Sequence, residues 1–161
     1  MQAFPKQPRR TWNFRMTERQ HHYALDFYLV GEFTEDVVMR VLLFVQHLSK
    51  KARWPAGKPE FVDELDESSC TRPEDSPIRT VGGTVPLRDP RVGVSAQEDA
   101  EDLDSVRHVV EQLSAFTAAL NLTVELQLGG LYVGRIENGR PDRLVAVGLL
   151  SEWARTLGER Q

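Results

Sequence analysis

A single cysteine in 161 residues, Cys70, excludes an intrachain disulfide and a cysteine-built zinc cage. No apolar run is longer than the five residues at 41–45, far below the roughly 20 that a membrane-spanning helix needs. The basic N-terminus (Lys6, Arg9, Arg10, Arg15) leads into no apolar stretch, so no secretory signal is expected. Scarce cysteine suits a reducing compartment, and the expected location is the cytoplasm. Signatures for metal-dependent, nucleotide-binding or nucleophilic chemistry are also missing, so no catalytic residue, metal or cofactor is expected.

What the sequence does hold is charge, unevenly spread. Residues 1–58 carry ten Lys/Arg against five Asp/Glu, residues 59–104 carry four against thirteen, and residues 105–161 balance at six each. An acidic middle of this density repels phosphate backbones and attracts basic partners, which disfavours nucleic acid as a ligand. The plainer account is a solvated loop plus the first turns of a helix, where acids complement the helix dipole.

Residues 1–20 contain two prolines and no helical or strand period, and read as a flexible basic arm. Met16-Thr17-Glu18 resembles a translation start, so residues 1–15 are expected to be either a leader or an upstream-start extension. Residues 21–161 read as one α+β domain with an irregular, Pro-rich, acidic segment at 55–95. Alternation of Tyr23, Leu25, Phe27 and Leu29 predicts a first strand. Thr34, followed by Glu35 and Asp36, caps a helix whose apolar face is Val37, Val38, Val41, Leu42, Val45 and Leu48. Phe61, Val62 and Leu65 suggest a short strand, and 78–81 with 84–87 suggest a tight hairpin turning at Gly82-Gly83. Ser95 and Glu98 are spaced for a capping box on a second helix that ends near Asn121. Strands at 122–128 and 131–136 flank Gly129-Gly130. A last helix spans 144–157 after Pro141-Asp142, with a short strand at 144–148 as the alternative. The order predicts an antiparallel sheet with two or three helices. It corresponds to a ferredoxin-like βαββαβ core plus an extra C-terminal hairpin strand and helix.

Candidate chemistry is sparse. His21 and His22 are adjacent, so on a strand they point to opposite faces and cannot share an ion; His47 and His108 lie on predicted helices. Cys70 sits in acidic surroundings that oppose thiolate formation. Both glycine pairs are explained by turns, since neither opens a helix followed by Lys-Ser/Thr. Asp63, Glu64, Asp66 and Glu67 could resemble a cation site, but nothing in their spacing fixes a geometry. Charge makes these four, with Asp99 and Asp102 as a second acidic ridge, the candidate residues for binding a partner. Trp54 is either an anchor for that partner or a cap on the first helix, and Trp153 belongs to the core.

The stretch 124–139 (Val-Glu-Leu-Gln-Leu-Gly-Gly-Leu-Tyr-Val-Gly-Arg-Ile-Glu-Asn-Gly), followed by 148–153 (Gly-Leu-Leu-Ser-Glu-Trp), resembles small bacterial immunity proteins of polymorphic-toxin and interbacterial competition systems. The resemblance lies in a strand pair leading to a short closing helix. It implies an acidic, cytosolic, non-catalytic protein that binds a cognate toxin with a basic surface and occludes its active site. A small ferredoxin-like enzyme or ligand-binding protein is the alternative expectation.

Overall fold

A computed structural model of the chain describes residues 23–51, 53–68 and 70–160. The basic arm at 1–20, with Met16, and the His21-His22 pair lie outside the described residues.

Strand β1 (Ala24–Leu29) runs through the interior of the sheet and buries Leu25 and Phe27. Helix α1 (Glu35–Lys51) follows. Thr34 Oγ1 accepts a bond from Val37 N–H at 3.3 Å, and Glu35 and Asp36 occupy the favourable first turn. Strands β2 (Glu60–Asp66) and β3 (Ile78–Pro86) pair antiparallel across residues 67–77. Helix α2 (Ala96–Leu120) opens with the expected reciprocal box. Ser95 Oγ accepts from Glu98 N–H at 3.1 Å, while Glu98 Oε1 accepts from Ser95 N–H at 3.2 Å. It stops at Asn121, whose φ of 52° is left-handed. Strands β4 (Thr123–Leu128), β5 (Leu131–Glu137) and the two-residue β6 (Arg140–Pro141) complete the sheet.

The strand order is β2-β3-β1-β4-β5-β6, and every neighbouring pair is antiparallel. Its first four strands, with α1 and α2, form the βαββαβ arrangement of ferredoxin-like folds. The chain is therefore α+β, with β5, β6 and a C-terminal helical segment added at one edge. Both long helices bury their apolar stripes on the same side of the sheet: Val41, Val45 and Leu48 from α1, Val106, Val110 and Leu113 from α2. Phe44 bridges the layers, edge-on to Phe27 at 6.0 Å and tilted against Phe116 at 4.6 Å.

Two expectations change. Gly82-Gly83 is not a turn, because β3 continues through both residues in register with β1 and β2. A Cβ on Gly82 would lie 1.8 Å from the Phe27 carbonyl oxygen, and one on Gly83 would lie 2.5 Å from the Phe27 ring. The pair is bare so that β1 and its aromatic ring can close on β3. At the C-terminus the strand alternative at 144–148 is ruled out. Leu144–Ser151 is π-helical and runs directly into α3 (Glu152–Arg160). Asp142 anchors this segment to the sheet. Its carboxylate accepts bonds from Val145 N–H at 3.0 Å and Arg135 N–H at 3.2 Å, and Gly134 leaves the room for it.

No helix among the described residues is long and apolar enough to cross a membrane.

Candidate partner-binding surface

The candidate acids fall into two separate settings, and Trp54 belongs to a third. On β2, Asp63 is gripped by Arg79 of β3 through two bonds of 2.9 Å, from Nε to Oδ1 and from Nη2 to Oδ2. Arg79 also bonds Glu35 at the start of α1 and lies 5.9 Å over the Phe33 ring. The guanidinium bonds hold the Asp63 carboxyl below the usual carboxylate range, and the two carboxylates raise the pKa of Arg79. Asp66 Oδ1 accepts from Ser68 N–H at 2.8 Å, and the bonds to Ser68 lower its pKa. Glu64 lies on β2 and is half-buried, whereas Glu67 in the following turn is exposed.

Asp99 and Asp102 stand on the first turns of α2 and are used within the molecule. Asp99 Oδ1 accepts from Trp153 Nε1 at 2.8 Å, and its Oδ2 accepts from Arg160 at 2.9 Å, tying α3 to α2. Asp102 is buried. Its Oδ2 accepts from Arg88 N–H at 3.1 Å, while its Oδ1 sits 3.5 Å from Arg88 Nη1 and makes no hydrogen bond among the described residues. Burial pushes the Asp102 carboxyl up, against the opposing effect of Arg88. The same guanidinium reaches Glu101 Oε2 at 3.0 Å and the Glu98 carbonyl at 2.9 Å. This second ridge is therefore clasped by Arg88 and Arg160.

Trp54 caps α1. Its Nε1 donates to the Leu48 carbonyl at 3.2 Å, satisfying one of the acceptors that a helix end leaves open. The indole is half-buried and packs 5.9 Å from the His108 ring at 55°. Between residues 53–55 and α2 lies a cleft of about 580 Å³. Its helical wall is Glu101, Asp104, Ser105 and His108, spaced so that all four share one face of α2. Asp104 is largely exposed and only 3.8 Å from Arg107, a loose pair. His108 Nε2 is buried, with no hydrogen-bond partner among the described residues. Glu101 and Asp104 are not among the partner-binding candidates read from sequence, and His108 is read there only as a helix residue, although the 3-4 spacing of the three beside the buried stripe was the available signal.

A second hollow, of about 330 Å³, lies under the C-terminal helical segment and includes Tyr23, Arg88, Asp99, Leu149 and Trp153. Burial, then the nearby Asp89, raises the Tyr23 hydroxyl above its ordinary pKa.

Among the described residues no three His, Cys, Asp or Glu side chains are grouped to hold a metal ion. Cys70 is a half-buried free thiol in the β2–β3 connection. No protein-family model, curated protein or solved structure matches the chain.

Proposed function

We propose that the protein is a non-catalytic binding protein of the cytoplasm that captures a basic protein and inhibits it, as immunity proteins do to their toxins. The observation that carries this is the cleft beside α2, where the capped indole of Trp54 stands next to the carboxylates of Glu101 and Asp104. A rigid aromatic among exposed acids supplies both ingredients of a charge-steered interface. Long-range attraction speeds encounter, and a flat apolar anchor slows release. The overall charge of −4 and the acids of the β2–β3 connection act in the same direction. The resemblance of 124–139 and 148–153 to immunity proteins supports the inhibitor role.

The test is to isolate the bound protein from the native cell and measure its association with wild type and with Glu101→Lys/Asp104→Lys. Charge reversal is expected to slow association by about tenfold at low ionic strength, with the difference shrinking in high salt. Equal rates at low salt, or an acidic captured partner, would overturn the role. So would reproducible turnover of a nucleotide, ester or peptide that one substitution abolishes.

Small-ligand binding is the second reading, favoured by the hollow at Tyr23 and Trp153, whose lining is mostly apolar with Arg88 and Asp99 at hand. A metabolite that raises the melting temperature of the wild type, and no longer does so in Trp153→Phe, would favour it.

A further inference from the structure

We infer that the cleft between Trp54 and α2 is a receptor for a planar guanidinium group. The inference rests on the basic-partner role above and specifies what that partner presents.

The chemistry of the walls selects the ligand. Trp54 has already spent its only donor on the Leu48 carbonyl, so its indole offers the cleft a π face and nothing to accept from. Ser105 donates its hydroxyl proton to the Glu101 carbonyl at 3.2 Å, leaving its oxygen as an acceptor. Glu101 bonds Arg88 through Oε2, and Asp104 lies in a loose 3.8 Å pair with Arg107. His108 also lines the cleft, and its buried Nε2 has no hydrogen-bond partner among the described residues. Among the described residues the lining thus offers an aromatic wall, a serine oxygen and two carboxylates, Glu101 shared with Arg88 and Asp104 only loosely with Arg107, beside one lining cation, Arg53.

A ligand complementary to it must be cationic, flat and able to donate several hydrogen bonds in its own plane. Guanidinium is that group. It stacks on an indole face while its edge N–H groups reach carboxylates, which a compact ammonium cannot do simultaneously. An anionic ligand would instead be drawn to Arg53 and repelled by Glu101 and Asp104, so Arg53 separates the two cases.

The experiment titrates the full-length, isotope-labelled protein with ethylguanidinium and with ethylammonium. The resonances followed are the Trp54 indole N–H and the amides of 101–108. Guanidinium is expected to give saturable shifts confined to these signals, with ammonium about fivefold weaker or more. Asp104→Asn, a surface change that leaves the fold alone, is expected to weaken guanidinium binding about fivefold, while Arg53→Gln leaves it equal or tighter. Unsaturable shifts, equal response to the two cations, or loss of binding in Arg53→Gln would overturn the assignment.

A Gly-Arg-Gly peptide binding more tightly than ethylguanidinium identifies the source as a protein side chain. The reverse order identifies a free guanidino compound. The two levels of inference fail separately. If guanidinium does not bind yet a captured basic protein still associates, the cleft assignment falls and the inhibitor role stands. If guanidinium binds and the captured partner is indifferent to Asp104→Asn, the converse holds.

Discussion

The Phe27 ring occupies the volume that a side chain on Gly83 would need: a Cβ there would lie 2.5 Å from ring atom Cζ and 3.2 Å from a Val45 methyl. Aromatic ring, bare glycine and helix α1 are thus one packing unit at the centre of the sheet.

Gly83→Ala is expected to destabilise the protein by ~1–3 kcal/mol through overpacking, and by less in a Phe27→Leu background, where the ring no longer competes for the space. Chemical denaturation of the two single variants and the double variant measures the coupling. Strict additivity would show that the contact carries no strain.

Opposite pH behaviour is expected for two aspartates. Asp63 has a depressed pKa in the folded state, so its ionised form contributes stability above the unfolded pKa that is lost as pH falls through the folded value. Asp63→Asn therefore costs stability at neutral pH, within ~1 kcal/mol for an exposed pair, and progressively less in acid. Asp102 has a raised pKa, so its ionised form opposes folding above that value and the penalty is relieved as pH falls. Asp102→Asn, which keeps an acceptor for Arg88 N–H, is expected to match or exceed wild-type stability at neutral pH and to lose that advantage in acid. Denaturation curves at stepped pH check both signs.

Loss of the cap at α2 is expected to be plain and local. Ser95→Ala removes the acceptor for Glu98 N–H and should cost ~1 kcal/mol. Faster amide exchange confined to the first turn of α2 is the companion measurement, and unchanged exchange there would count against the capping role.

Charge reversals should sort the acids by duty. Glu67→Lys leaves stability within ~0.5 kcal/mol, because its side chain is exposed in the β2–β3 connection. Asp99→Lys unseats both Trp153 and Arg160 and should lower stability by ~2 kcal/mol or more, whatever it does to a partner. A thermal melt of each variant separates the two classes.

The legible parts of the fold were those whose signals are local. Thr34 with its two acids, and Ser95 with Glu98, announce their helices within four residues, and the alternation in β1 and β4 sets the inward faces. Gly82-Gly83 was misassigned because a glycine pair is equally consistent with a reversal and with a close strand crossing. Only Phe27, far away in the chain, decides between them. The site was obscured for the same reason. Asp99 and Asp102 look like free acids in sequence, but their partners lie 54 and 61 residues away for Asp99 and 14 for Asp102. Trp54 was readable as either anchor or cap. Its bond to Leu48 makes it a cap, and that bond also fixes the indole beside α2. The π-helical start of the last segment left no trace in sequence, since 144–150 has no polar side chain to mark a face.

That widened segment carries a geometric consequence. A π-helical turn holds one residue more than an α-helical turn, so winding all of 144–151 into regular α-helix, with no residue removed, would push the surplus residue into the next turn. Everything downstream would then swing by about 100° around the axis. Trp153 would no longer point at Asp99, and Arg160 would lose its reach to the start of α2. The surplus residue therefore sets the rotational phase in which the chain's last two turns meet the rest of the molecule.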